Sequence, residues 1–143
     1  MADYSVTAAS VVPASGSTIV YGTAGEALSA GEAVRLDAAT QLIRSCKALS
    51  VANGESNPER HKAVVGISVS NAAAGQPIAY VSAGPVTFNS TFTQGVTVYL
   101  SQSNGSGLMP VGDLTSGNYN IIMGVALSAT SLFVDIINTG VTL

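Results

Sequence analysis

Charge is scarce in this sequence. It has five Lys and Arg and eight Asp and Glu among 143 residues, or 9%, against about 25% in an ordinary soluble domain. It also has no tryptophan, one cysteine and one histidine. Each shortage excludes something. Cys46 alone cannot form an internal disulfide. One His and one Cys, with no spaced cluster around them, do not make the three or four ligands of a zinc site. A Ser-His-Asp triad would have to use His61, which lies in a polar, charged stretch, and no serine sits in a G-x-S-x-G elbow. The eight acids are scattered, mostly among basic neighbours, and present no glycosidase-like pair. No uncharged apolar run approaches the ~20 residues of a membrane span. The opening "MADYSVTAAS" has neither the basic nor the apolar region of a signal peptide, so synthesis in a cytoplasm is expected. The sequence therefore points to no catalytic residue, no metal, no cofactor and no membrane partner.

The charge is also unevenly placed. Arg35, Arg44, Lys47, Arg60 and Lys62 fall in one window, where Glu26, Glu32, Asp37, Glu55 and Glu59 offset them. A basic stripe for nucleic acid is absent. Beyond Gly84 only Asp113 and Asp135 are charged, and Ser and Thr, 30 in all, supply most polar surface. A monomer with so little surface charge is poorly protected against association. A homo-oligomer is expected.

Gly and Pro punctuate the chain, and the segments between are short and rich in Val, Ile, Thr and Tyr, the pattern of an all-β sandwich or barrel. Strands are expected at 18–22, 32–37, 63–70, 77–84, 85–88, 96–101, 119–128 and 132–138. Asn53-Gly54 and Asn104-Gly105 suit tight turns, and "GSGLMPVG" (105–112) reads as a hairpin tip. In "LFVDII", Phe133, Asp135 and Ile137 alternate with Leu132, Val134 and Ile136, with Asp135 on the wetter side. One segment competes. Leu36, Ala39, Leu42, Ile43 and Cys46 recur at helical spacing.

The competition is decided by an internal echo. "VVGISVSNAAAGQPIAYVSAG" (64–84) resembles "IMGVALSATSLFVDIINTG" (122–140). Aligning Gly31 with Gly95 extends the match upstream. Val34 then meets Val98, Leu36 meets Leu100 and Leu42 meets Leu108, while Gly66 and Gly84 meet Gly124 and Gly140. The match predicts a hairpin over 32–46 in place of a helix, and two similar β-units, 23–84 and 85–143, in a single antiparallel sandwich or barrel. Residues 1–22 are expected to be an N-terminal arm or first strand. Asn57-Pro58 is expected to open one helical turn.

Three stretches, "TAASVVPASGSTIVYGTAGEALSAGEAVRLD", "VVGISVSNAAAGQPIAYVSAG" and "DLTSGNYNIIMGVALSATSLFVDI", resemble head decoration, or capsid cement, proteins of tailed bacteriophages. The resemblance implies an all-β virion structural protein that binds the outside of an icosahedral shell and performs no reaction. It further implies the major capsid protein as partner, and a trimer in preference to a dimer. No catalytic residue is carried over. If the N-terminal arm clamps the shell, the contact candidates are Tyr4, Val6, Val11 and Val12. A tail or fibre module that attaches to a host-surface glycan is the alternative.

Overall fold

The computed structural model describes residues 3–89, 91–103 and 106–142. The chain is all-β, with strands at Val12–Pro13 (β1), Thr18–Thr23 (β2), Ala33–Leu36 (β3), Ile43–Ser45 (β4), Val64–Ser68 (β5), Pro77–Thr87 (β6), Thr97–Leu100 (β7), Leu108–Pro110 (β8), Tyr119–Ser128 (β9) and Ser131–Thr142 (β10). The pairings among these strands are antiparallel. Two strand assignments depart from the sequence reading. The segments 77–84 and 85–88 form one continuous strand, and Leu108–Pro110 is strand rather than hairpin tip. Asn104-Gly105 lies outside the described residues.

The 32–46 segment is a hairpin. Val34 pairs with Ser45, Arg35 with Arg44 and Leu36 with Ile43. Asp37 N–H donates to the Leu42 carbonyl and Gln41 N–H to that of Asp37, with Gln41 at φ +60°. Ala39, which would lie on the buried face of a helix, is exposed at the turn. Tertiary pairing has overridden local helix propensity. At 57–62 the chain makes a turn rather than a helix, with Asn57 Oδ1 accepting the Glu59 N–H.

Strand β6 organises the molecule. Tyr80 is bridged to both Val20 and Ser68, Ala83 to both Thr18 and Asp135, and Thr87 to both Val12 and Ser131. So β2 and β1 lie along one edge of β6, and β5 and β10 share the other. Two arms of a single ten-stranded sheet meet at this strand, in the orders β2-β6-β5-β3-β4 and β6-β10-β9-β7-β8. In both, the first strand pairs with the fifth, the fifth with the fourth, the fourth with the second and the second with the third. Register agrees as well. Val34 pairs with Gly66 and Val98 with Gly124, and a bulge follows each pair.

The same registers amend two alignments. Ile43, not Leu42, stands opposite Leu36 as Leu108 stands opposite Leu100. Ile67 pairs with Val81 and Val125 with Phe133. Three residues on, Gly84 comes level with Ile136, short of Gly140.

The sheet curls into a half-barrel around a core that includes Ile67, Val81, Val86, Phe88, Leu100, Met123 and Leu132. A smaller cluster around Val34, Ile43 and Ile78 lies on the opposite face, since Val34 and Tyr80 alternate with Ala33 and Val81 of the main core. Backbone bonds join the far ends of the two arms of the sheet. Ala33 N–H donates to Ser106 O at 2.9 Å, Ala48 N–H to Ser101 O at 2.9 Å, and Tyr119 N–H to Ala48 O at 2.8 Å.

Candidate interaction surfaces

The two side chains most suited to chemistry are structurally occupied. Cys46 is buried, and burial pushes its thiol far above the usual range, which leaves it a poor nucleophile. His61 stacks flat on Tyr119, with ring centroids 3.6 Å apart and planes at 8°. Burial, then the charge of Lys62, holds the imidazole below its ordinary pKa. Among the described residues no three His, Cys, Asp or Glu gather as metal ligands, and no helix is long and apolar enough to cross a membrane.

The N-terminal contact candidates mostly face inward. The ring of Tyr4 meets Phe92 edge-on at 5.1 Å, and its backbone N–H donates to Leu108 O. Val6 packs against the main core and Val11 is part of it, while Val12 is exposed. Asn89 ties the segment further, accepting the Thr7 N–H and donating to Ser5 O. Residues 3–11 are thus laid along the chain's own body. Tyr4, Val6 and Ala8 alternate with exposed Ser5, Thr7 and Ala9 at strand spacing, but the stretch is too short and too poor in large apolar residues to mark itself as packed.

Alternation along β9 and β10 builds an exposed apolar surface. Leu132, Val134 and Ala126 point inward. Phe133, Val125, Leu127 and Ile137 point outward, each at least 41% exposed, with Asp135 among them. Cross-strand register sets Pro85, Phe133, Val125 and Thr97 in a row over four strands. Exposed apolar residues gathered in this way mark contact surfaces more often than scattered ones do.

A polar concavity of about 760 Å³ lies at one end, lined among others by Asp3, Asn53, Gln102, Asp113, Thr115 and Asn118. Its wall is a hydrogen-bonded network. Asn118 Oδ1 accepts from Ser50 N–H at 3.1 Å and from Asn53 Nδ2 at 3.0 Å, and Gln102 Oε1 accepts the Thr115 N–H at 2.6 Å. These side chains stand on three separate loops, which is why the sequence did not reveal them as a group.

Searches against protein-family models, curated proteins and solved structures gave no match to this chain.

Proposed function

We propose that this is a non-enzymatic virion structural protein that binds the outer surface of a tailed-phage capsid, through the major capsid protein, and stabilises the shell. The reading begins from the resemblance to decoration proteins. The observation that carries it is the outward face of β9 and β10. Phe133, Val125, Leu127 and Ile137 offer apolar contact with a single charge, Asp135, to desolvate. Many copies, each bridging neighbouring shell subunits, would raise the threshold for rupture in parallel. The same low charge supports a homo-oligomer, and the resemblance favours a trimer. We also read the two halves as one unit built twice, supported by their shared connectivity and by the matched Val34–Gly66 and Val98–Gly124 pairs.

The test compares particles made with and without the protein. Decorated particles are expected to survive higher temperature or chelator, with antibody labelling over the whole head. Equal survival with label confined to the tail would overturn the reading. That result would favour a host-attachment module, for which the polar concavity beside Asn53, Gln102 and Asn118 is the supporting observation, as a place for a glycan.

A further inference from the structure

We propose that a second cavity, between the β3–β4 hairpin and the 55–60 turn, binds a single oxyanion group, carboxylate or phosphate, in the guanidinium fork of Arg35. The cavity measures about 310 Å³ and is lined by Arg35, Arg44, Arg60, Glu26 and Glu55 with three smaller polar residues, so three cations face two anions. Arg35 and Arg44 stand directly opposite each other across the hairpin. Like charges in that relation repel, and the pair calls for compensation.

Two of the three arginines have it. Arg44 Nε lies 3.0 Å from Asp37 Oδ2, and its Nη1 donates to Gly25 O at 3.2 Å. Arg60 Nη2 donates to Ser45 Oγ at 3.1 Å, and its Nη1 is 3.6 Å from Glu55 Oε2. Arg35 differs. It is only 6% exposed, and its Nε donates to Ser45 O at 3.0 Å. Among the described residues, Nη1 and Nη2 of Arg35 have no hydrogen-bond acceptor and no carboxylate within 4.0 Å.

The two Nη groups are not sealed in; they open onto the cavity, where solvent meets them and an anion can replace it. Their planar pair of N–H groups matches the two oxygens of a carboxylate or phosphate. The carboxylates of the cavity are engaged elsewhere. Glu26 Oε1 accepts the Ser45 N–H at 2.6 Å, and Glu55 Oε1 accepts the Asn57 N–H at 3.0 Å. Glu26 is also held ionised. Burial pushes its pKa up, but Ser45, Arg44 and Arg60 outweigh that and leave it lowered. The remaining donors of Arg35 point to an anion from outside the chain, either free in solution or on an acidic side chain of a partner.

The test titrates the intact, ¹⁵N-labelled protein at fixed ionic strength with inorganic phosphate and, separately, with N-acetyl-aspartate N-methylamide as a side-chain carboxylate. The Nε–H signal of Arg35 is expected to shift saturably, and the melting temperature to rise with the same half-saturation. Arg35→Lys keeps the charge but loses the fork, and is expected to weaken binding roughly tenfold or more. Tighter binding of phosphate identifies a free anion as the natural occupant, and tighter binding of the aspartate mimic identifies a partner's carboxylate. Shifts that stay linear with concentration for both probes, or equal affinity in Arg35→Lys, overturn the proposal. Should that variant fail to fold, the wild-type titration decides alone, since saturation at Arg35 is required.

Discussion

Gly66 and Gly124 occupy the same position in the two halves of the molecule. Each faces a valine across one strand boundary, Val34 and Val98 respectively, just before a bulge. Across the other boundary, a side chain on either glycine would overlap a backbone carbonyl oxygen, that of Val81 for Gly66 and that of Phe133 for Gly124. Backbone cannot yield as a flexible side chain can, so the close approach excludes every other residue.

The first prediction follows directly. Gly66→Ala and Gly124→Ala should each cost about 3 kcal/mol, the upper range for overpacking. That corresponds to a drop in melting temperature of roughly 10 °C. Gly16→Ala is the control. Gly16 has φ +91° with nothing within 4 Å of an added Cβ, so only backbone strain of about 1 kcal/mol applies. Equal losses at all three positions in thermal melts would remove the steric account.

A second prediction concerns residues 3–11. If they belong to the body, deleting residues 1–10 should lower the denaturant midpoint, because the Tyr4–Phe92 contact and the Tyr4–Leu108 hydrogen bond are lost. Val11→Ala should cost about 2 kcal/mol, since Val11 is 4% exposed. A truncated chain as stable as the full one would restore the idea of a free arm.

The third prediction is a pH dependence centred on His61. Its folded pKa lies below the ordinary value of about 6.5, so the unfolded chain binds the proton more readily. The resulting stability is fully present above the ordinary value and is lost as pH falls through the lowered one. Urea midpoints should decline from pH 7 toward pH 5. His61→Phe, which keeps a ring against Tyr119, should flatten that decline, and an unchanged slope would assign it to other groups.

The fourth prediction uses Cys46. Its buried, proton-retaining thiol should be unreactive toward a disulfide reagent in the native protein. Labelling should rise along the unfolding curve, measured as the thiol fraction modified against urea. Rapid native labelling would show that the core opens locally near β4.

Much of the fold was legible because its strands alternate. "TVYL" and "LFVDII" separate inward from outward side chains without help from tertiary context, and glycine spacing marked Gly66 and Gly124 as counterparts. Errors arose where pairing, not pattern, decides. Gly84-Pro85 reads as a break, yet β6 runs through it. Gly84, at φ +101°, lets the backbone of Ser17 approach where a side chain would collide. The one-residue slip between Leu42 and Ile43 is of the same kind, since two adjacent apolar residues fit either register until the opposing strand selects one. The Arg35 cavity was half visible. The sequence showed a neutralised basic window, but not which arginine its carboxylates would leave unmet.

Strand β6 ends one half of the molecule and begins the other, and this imposes an order on biosynthesis. As the chain leaves the ribosome, β2 has no partner until residues 77–83 follow it. Those residues arrive already joined to 83–87, whose second edge waits for 131–135. The first half can therefore form only while exposing an open strand edge, which is the template for wrong pairing between nascent chains. That edge closes only when β10 emerges, so β10 protects the first half as well as completing the second.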